Sequence, residues 1–146
     1  MSARLPFSVV TKPTGAACNL DCQYCFFLSK ELLYDAAAQT MSEQTLERYV
    51  EAFLESSPDG EVTMLWQGGE PTLRGLHFFE RLMDLCERYR RPTQSVRHAL
   101  QTNGTLVTDE WAQFFADHGF LVGVSIDGPA PLHDAYRINR GGRGTH

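Results

Sequence analysis

The feature that most constrains this chain is a repeating one: a short apolar run ends on a polar or glycine-rich turn, and an amphipathic stretch follows. Phe7–Thr11 is short, rich in β-branched residues and closed by Lys12-Pro13, as expected of a buried strand. Thr14 to Cys25 reads as loop. Ser42 then offers an N-cap, and Leu46, Tyr49, Val50 and Phe53 recur at helical spacing until Ser57-Pro58-Asp59-Gly60 ends the helix. A second strand, Val62–Gln67, runs into Gly68-Gly69-Glu70-Pro71, whose glycines and proline stop regular pairing. Phe78, Phe79, Leu82, Leu85, Cys86 and Tyr89 mark one face of a helix within Gly75–Arg91, halted by Pro92. A third strand near Ser95–Gln101 meets Thr102-Asn103-Gly104, and Thr108 or Asp109 caps a third helix through His118, with Gly119 as its C-cap glycine. Phe120–Ser125 is a fourth strand, terminating at Ile126-Asp127-Gly128-Pro129. His133 to His146 is polar and glycine-rich without a period, which predicts an irregular tail.

The order β, loop, α, β, α, β, α, β, at about 30 residues per later unit, is that of βαβ crossovers building a parallel sheet. The expected fold class is therefore α/β. Right-handed crossovers place the C-terminal ends of the strands on one rim, so their loops face a common space. Those loops hold the unusual residues: Cys18–Cys25, Gln67–Pro71, Gln101–Gly104 and Ser125–Pro129. Four convergent ends of this kind predict one site.

Several function classes are excluded early. The 146 residues suit one domain, and 42% hydrophobic with 21% charged residues is a globular composition. Thirteen Lys and Arg against eighteen Asp and Glu leave a net charge of −5, the wrong sign for a phosphate-binding surface, so no nucleic acid partner is expected. No apolar run reaches the about eighteen residues of a membrane span, so no membrane partner is expected. Pro6, Lys12 and Pro13 interrupt the N-terminal segment before a signal-peptide core forms, and the expected location is cytoplasmic. In a reducing compartment cysteines serve as thiols or metal ligands rather than as a disulfide framework.

Three of the four cysteines fall together as Cys18-x3-Cys22-x2-Cys25. Structural zinc wants four Cys or His ligands, and no second knuckle or suitably spaced histidine follows. An iron–sulfur cluster tolerates three cysteines differently, because the iron without a thiolate keeps an open position for a ligand. Zinc, or unligated thiols, remains the alternative. Cys86 lies on the apolar helix face and reads as core. Asp127-Gly128-Pro129 reads as a turn former rather than an acid–base group, and Arg88, Arg90 and Arg91 complement a helix dipole. Arg137, with Arg140 and Arg143, is equally readable as part of a solvated basic tail.

At these motifs the chain resembles the radical S-adenosylmethionine (SAM) superfamily, whose C-x3-C-x2-C signature, with an aromatic before its last cysteine, is matched by Cys18, Cys22, Tyr24 and Cys25. Within it the chain is similar to the anaerobic sulfatase-maturating enzymes, through Lys12-Pro13, the cysteine loop, Gln67–Thr72, Leu100–Thr105 and Gly123–Pro129. The resemblance implies a partial parallel (β/α) barrel of the radical SAM type, truncated after about four βα units. Residues 1–146 would be the N-terminal portion of that domain, with the C-terminal auxiliary-cluster domain and the catalytic base absent from this chain.

The resemblance further implies a 4Fe-4S cluster on Cys18, Cys22 and Cys25, with SAM chelating the open iron. Reduction would split the sulfonium, and the resulting 5′-deoxyadenosyl radical would oxidise a Cys or Ser of a sulfatase to formylglycine. Implied partners are a sulfatase polypeptide and an electron donor such as a flavodoxin or ferredoxin. By the same resemblance Tyr24 lies near the adenine, Gly68, Gly69 and Glu70 receive the methionine amino group, and Ser125 and Arg137 contact the carboxylate and ribose end. Gln67 and Asn103 would orient SAM or substrate. Phe27 stands where many relatives carry tyrosine. The competing reading is a non-catalytic metal- or cluster-binding module, or an inactive fragment of a different peptide-modifying radical SAM enzyme.

Overall fold

A computed structural model of the chain describes residues 5–27, 29, 33 and 40–146. Four parallel strands, β1 (Val10–Thr11), β2 (Gly60–Trp66), β3 (Gln94–Thr102) and β4 (Leu121–Val124), form one sheet in the order β1-β2-β3-β4. Helices α1 (Glu43–Ser56), α2 (Leu76–Tyr89) and α3 (Asp109–Asp117) make the crossovers, and α4 (Ala130–Tyr136) follows β4. Each crossover steps one strand onward in the same direction. That winding belongs to a barrel wall, whereas a doubly wound sheet reverses its strand order. The α/β expectation is met.

Alternation along the strands decides which face carries the core. Val62, Met64 and Trp66 of β2 and His98, Leu100 and Thr102 of β3 are buried, while Leu65, Ala99 and Gln101 between them are only partly covered. The register pairs Met64 with His98 and Trp66 with Leu100, so the large side chains of adjacent strands stand side by side. Onto them pack Leu46, Val50, Phe53 and Leu54 of α1, Phe78, Phe79, Leu82 and Leu85 of α2, and Trp111, Phe114 and Phe115 of α3. Trp66 meets Tyr49, Phe78 and Phe79 edge-on at 5.9, 6.4 and 5.9 Å, and Phe79 meets Trp111 at 5.5 Å. Each such side chain contributes about 1.5–3 kcal/mol when fully buried.

The predicted caps are present. Ser42 Oγ accepts from the Thr45 N–H at 3.1 Å and Thr108 Oγ1 from the Trp111 N–H at 3.5 Å. Gly119, at φ +63°, takes the left-handed conformation that closes α3.

Two expectations need correction. The first strand spans only Val10–Thr11, and Phe7, Val9 and Val10 are exposed rather than buried. As an edge strand, β1 has a neighbour on one side only, and Phe7 packs its ring on Phe53 at 5.3 Å instead of pairing. The supposed irregular tail begins inside α4, whose seven residues have no side-chain N-cap and bury only His133. A helix so short, with one buried residue, leaves no apolar period to read.

Candidate functional site

The C-terminal ends of the strands converge as expected. One cleft is lined by all nine candidate residues, Cys18, Cys22, Tyr24, Cys25, Gly68, Gly69, Glu70, Ser125 and Arg137, together with Gln67, Gln101 and Asn103. Five separated stretches of sequence meet there: four follow parallel strands that end on the same rim, and Arg137 comes from the C-terminal end of α4.

The turn after β2 fixes the cysteine loop. Gly69 N–H donates to the Gly15 carbonyl at 2.9 Å and Glu70 N–H to the Ala17 carbonyl at 2.8 Å. A Cβ on Gly69 would fall 1.9 Å from the Ala17 carbonyl oxygen, and Gly68, at φ +143°, has Gly15 O 2.9 Å from its missing Cβ. The glycines thus admit the chain's own backbone at this point.

The Glu70 side chain, 1% exposed, ties this turn to the one after β3. Its Oε1 accepts from the Thr72 N–H at 3.0 Å and from the hydroxyls of Thr72 and Thr102, each at 2.7 Å. Its Oε2 accepts from the Asn103 N–H at 2.7 Å. Four donors around one buried carboxylate make it an internal brace.

Cys18, Cys22 and Cys25 are free thiols, with Cys22 buried. Burial pushes the Cys18 thiol up, partly offset by hydrogen bonding, with Glu70 adding to the rise. Burial also raises Cys22, against the opposing pull of the Arg137 guanidinium. Loss of these protons is favoured when a bound cation takes up the thiolate charge.

On the far side, Asp127 gathers two of the candidates. The Tyr24 hydroxyl donates to Asp127 Oδ2, and Arg137 Nε lies 3.1 Å from the same oxygen in an ion pair whose N–H is not aligned on it. The Tyr24 hydroxyl first, and then Arg137, holds the Asp127 carboxyl below its ordinary value. Desolvation and the Asp127 bond push Tyr24 up to about 12, so the phenol stays a donor. Arg137 sits over the Tyr24 ring at 5.6 Å. Its buried Nε–H therefore has charge compensation but no aligned acceptor, a donor available to an anionic ligand. Ser125 Oγ accepts from Gln101 Nε2 at 2.8 Å, which leaves the serine O–H to donate into the cleft.

Asp127 is thus more than a turn former, and Arg137 is not a solvated tail residue. The segment after α4 staples itself to the cysteine loop. Asp21 N–H donates to Ile138 O at 2.8 Å and Gln23 N–H to Tyr136 O at 3.0 Å, and Arg140 reaches the Cys18 carbonyl through Nε and Nη2 at 3.2 and 3.0 Å. Gln101, placed on the rim by the sequence without a role, aligns Ser125, and Arg140 is a residue that sequence reasoning missed. An arginine run gives no sign of which guanidinium turns inward, whereas an acid in a rim turn two residues beyond Ser125 was a signal for Asp127.

Three free thiols lining one cleft are a donor set whose chemistry suits an iron–sulfur cluster. Among the described residues no three of His, Cys, Asp and Glu converge closely enough to hold one metal ion. A cluster gives each thiolate a different iron, so its ligands stand wider apart than those of zinc. Among the described residues no helix is long and apolar enough to cross a membrane.

Comparison with known proteins follows the same lines. The model of the Radical SAM superfamily matches residues 13–146. The chain is 43% identical over 139 residues to a serine-type anaerobic sulfatase-maturating enzyme of Bacteroides thetaiotaomicron, covering 94% of this chain and 33% of that protein. It is 41% identical over 133 residues to a cysteine-type anaerobic sulfatase-maturating enzyme of Clostridium perfringens, covering 90% and 36%. The solved structure described as native anSMEcpe with bound AdoMet superimposes with a TM-score of 0.87 at 39% identity, over 96% of this chain and 38% of that one. A second, with bound AdoMet and Cp18Cys peptide, gives 0.86 at 40% identity, over 97% and 37%. The chain spans about a third of the length of these relatives.

Proposed function

We propose, from the premise that this chain belongs to the radical SAM superfamily, that it is the cluster- and SAM-binding part of an anaerobic sulfatase-maturating enzyme. The observation that carries this reading is the convergence of three free thiols, a glycine turn without room for side chains, and a half-buried guanidinium on one cleft. Cys18, Cys22 and Cys25 would hold a 4Fe-4S cluster with one iron open. When bound, that cluster and SAM supply a one-electron reductive cleavage of the sulfonium, the source of the oxidising radical.

The chain's own residues bind and orient. The Arg137 guanidinium, kept in place by Asp127, offers its Nε–H to the carboxylate of SAM. Ser125, aligned by Gln101, donates its hydroxyl to the same end of the ligand. Tyr24 stands across the mouth with its hydroxyl on Asp127, a flat face for the adenine. The Gly68-Gly69 turn offers backbone acceptors to the amino group while Glu70 braces it from behind. The substrate is a cysteine or serine of a sulfatase segment, oxidised to formylglycine, with a flavodoxin or ferredoxin as electron donor and the cytoplasm as the site of action.

Anaerobic reconstitution tests the first half of this reading. About four irons per chain are expected, with loss of uptake in Cys18→Ala, Cys22→Ala and Cys25→Ala. SAM should perturb the electron paramagnetic resonance spectrum of the reduced cluster, and dithionite should then release 5′-deoxyadenosine. Zinc retained in place of iron, or SAM left intact after reduction, overturns the proposal in favour of a non-catalytic metal-binding module. The second half is tested by incubating sulfatase peptides bearing Cys or Ser with the protein that carries this chain, and detecting the aldehyde by hydrazide labelling.

A further inference from the structure

The Cys18 sulfur accepts hydrogen bonds from two directions. Its Sγ accepts from the Leu20 backbone N–H at 3.4 Å and from Asn103 Nδ2 at 3.7 Å. The Asn103 amide thus reaches the Cys18 sulfur from the end of another strand, 85 residues away in sequence.

The orientation of the Asn103 amide is fixed by its neighbours. Its Oδ1 accepts from the Thr105 N–H at 3.0 Å and from Thr105 Oγ1 at 2.7 Å. A backbone N–H can only donate, so the atom facing Thr105 is oxygen and the amide nitrogen must face the cysteine loop. One N–H of that nitrogen goes to Asn19 Oδ1 at 2.9 Å, which leaves the other for Cys18 Sγ. The Asn103 backbone is anchored as well, donating its N–H to the buried Glu70 carboxylate at 2.7 Å. Every polar group of Asn103 that faces the rim is therefore committed, and the sum of those commitments aims one N–H at one sulfur.

We infer that Asn103 is a positioning residue that sets both the aim and the electron density of the Cys18 sulfur as an iron ligand. The inference rests on the reading that the three cysteines hold an iron–sulfur cluster. An N–H directed at a ligating thiolate withdraws charge from it, which favours the more negative, reduced cluster, and hydrogen bonds to the sulfurs are among the main determinants of cluster potential. Asn103 thus makes the cluster easier to reduce. A purely structural role, tying the β3 turn to the cysteine loop through Asn19, would change iron loading and leave the potential where it is.

The test is a spectroscopically monitored redox titration of the reconstituted protein. Asn103→Asp keeps the oxygen that faces Thr105 and removes both N–H donors. At a fixed poise it is expected to lower the ratio of reduced to oxidised cluster about tenfold, equivalent to about 59 mV for a one-electron couple. Asn103→Ala removes the donor without adding charge and should shift the ratio the same way by a smaller factor. Thr105→Val leaves both donors on Asn103 and should stay within about twofold of the wild type. Unchanged potentials in both Asn103 variants overturn the inference. Should these variants load too little iron to titrate, pulsed electron paramagnetic resonance of the reduced wild-type protein labelled with ¹⁵N-asparagine decides. A nitrogen coupling supports the contact, and its absence overturns it. Failure of the wild type to take up any cluster would instead overturn the proposed function, so the two outcomes are separable.

Discussion

The layer between sheet and helices and the rim at the strand ends are held together in different ways. In the layer, Trp66, Phe79, Leu82 and their neighbours are buried by many weak contacts, each replaceable in part by the others. Dispersion and burial are additive and nearly indifferent to direction, so the layer tolerates small shifts. On the rim, Glu70, Asn103, Asp127 and Gln101 each hold particular donors or acceptors. Directional bonds position atoms, but each one lost leaves a polar group without its partner, at the greatest cost where the group is buried as Glu70 is. Stability is concentrated in the first region and geometry in the second.

Phe79→Ala should have the largest effect on stability, a loss of about 3–5 kcal/mol in chemical denaturation, while the fraction that stays folded takes up iron as before. Loss of iron uptake by that folded fraction would break the distinction between the two regions.

The next effect concerns pH. Burial lowers the His98 imidazole to about 4 from 6.5, and its Nδ1 accepts from Trp66 Nε1 at 3.3 Å. The folded state stays unprotonated down to about 4, whereas the unfolded chain takes up its proton below 6.5. Stability from this group is therefore full above pH 6.5 and falls as the pH drops towards 4, by about 3 kcal/mol in all. His98→Gln should remove that part of the acid sensitivity, as read from urea midpoints at pH 7 and pH 4.5.

Glu70→Ala should cost about 2 kcal/mol, less than Phe79→Ala, because water reaches part of the rim once the brace is gone. Its effect on iron uptake should nonetheless exceed that of Phe79→Ala, since four donors lose the carboxylate that orders two turns. This reversal of order between stability and iron binding is the sharpest form of the comparison. Tyr24→Phe should be smallest, below about 0.5 kcal/mol, because Tyr24 is largely exposed. Its consequence should appear as weaker SAM affinity in equilibrium binding, through loss of the hydroxyl that holds Asp127.

Much of the layer was legible because burial leaves a period. Phe78, Phe79, Leu82, Leu85 and Cys86 announced the inward face of α2, and all five are buried. Ser42 and Thr108 announced the starts of α1 and α3 through a local bond between a side chain and a nearby N–H. Of the site, the participants were legible and their partners were not. Cys18-x3-Cys22-x2-Cys25 and the Gly68-Gly69 turn stand out because their chemistry and conformational freedom are unusual in any context. Nothing local marks Asp127 as the partner of Tyr24, 103 residues earlier, or Arg140 as the residue that reaches the Cys18 carbonyl.

The amino-acid order alone determined the parallel α/β alternation, the outward helical layer and the set of residues gathered at the strand ends. Those depend on periodicity, capping and chain direction, which act over a few residues. Only the tertiary structure decided that β1 is a short exposed edge, that residues 136–140 clasp the cysteine loop, and that Glu70, Asn103 and Asp127 act as braces. Such roles belong to hydrogen bonds and ion pairs between segments far apart in the chain, whose partners are chosen by where the packed sheet brings them.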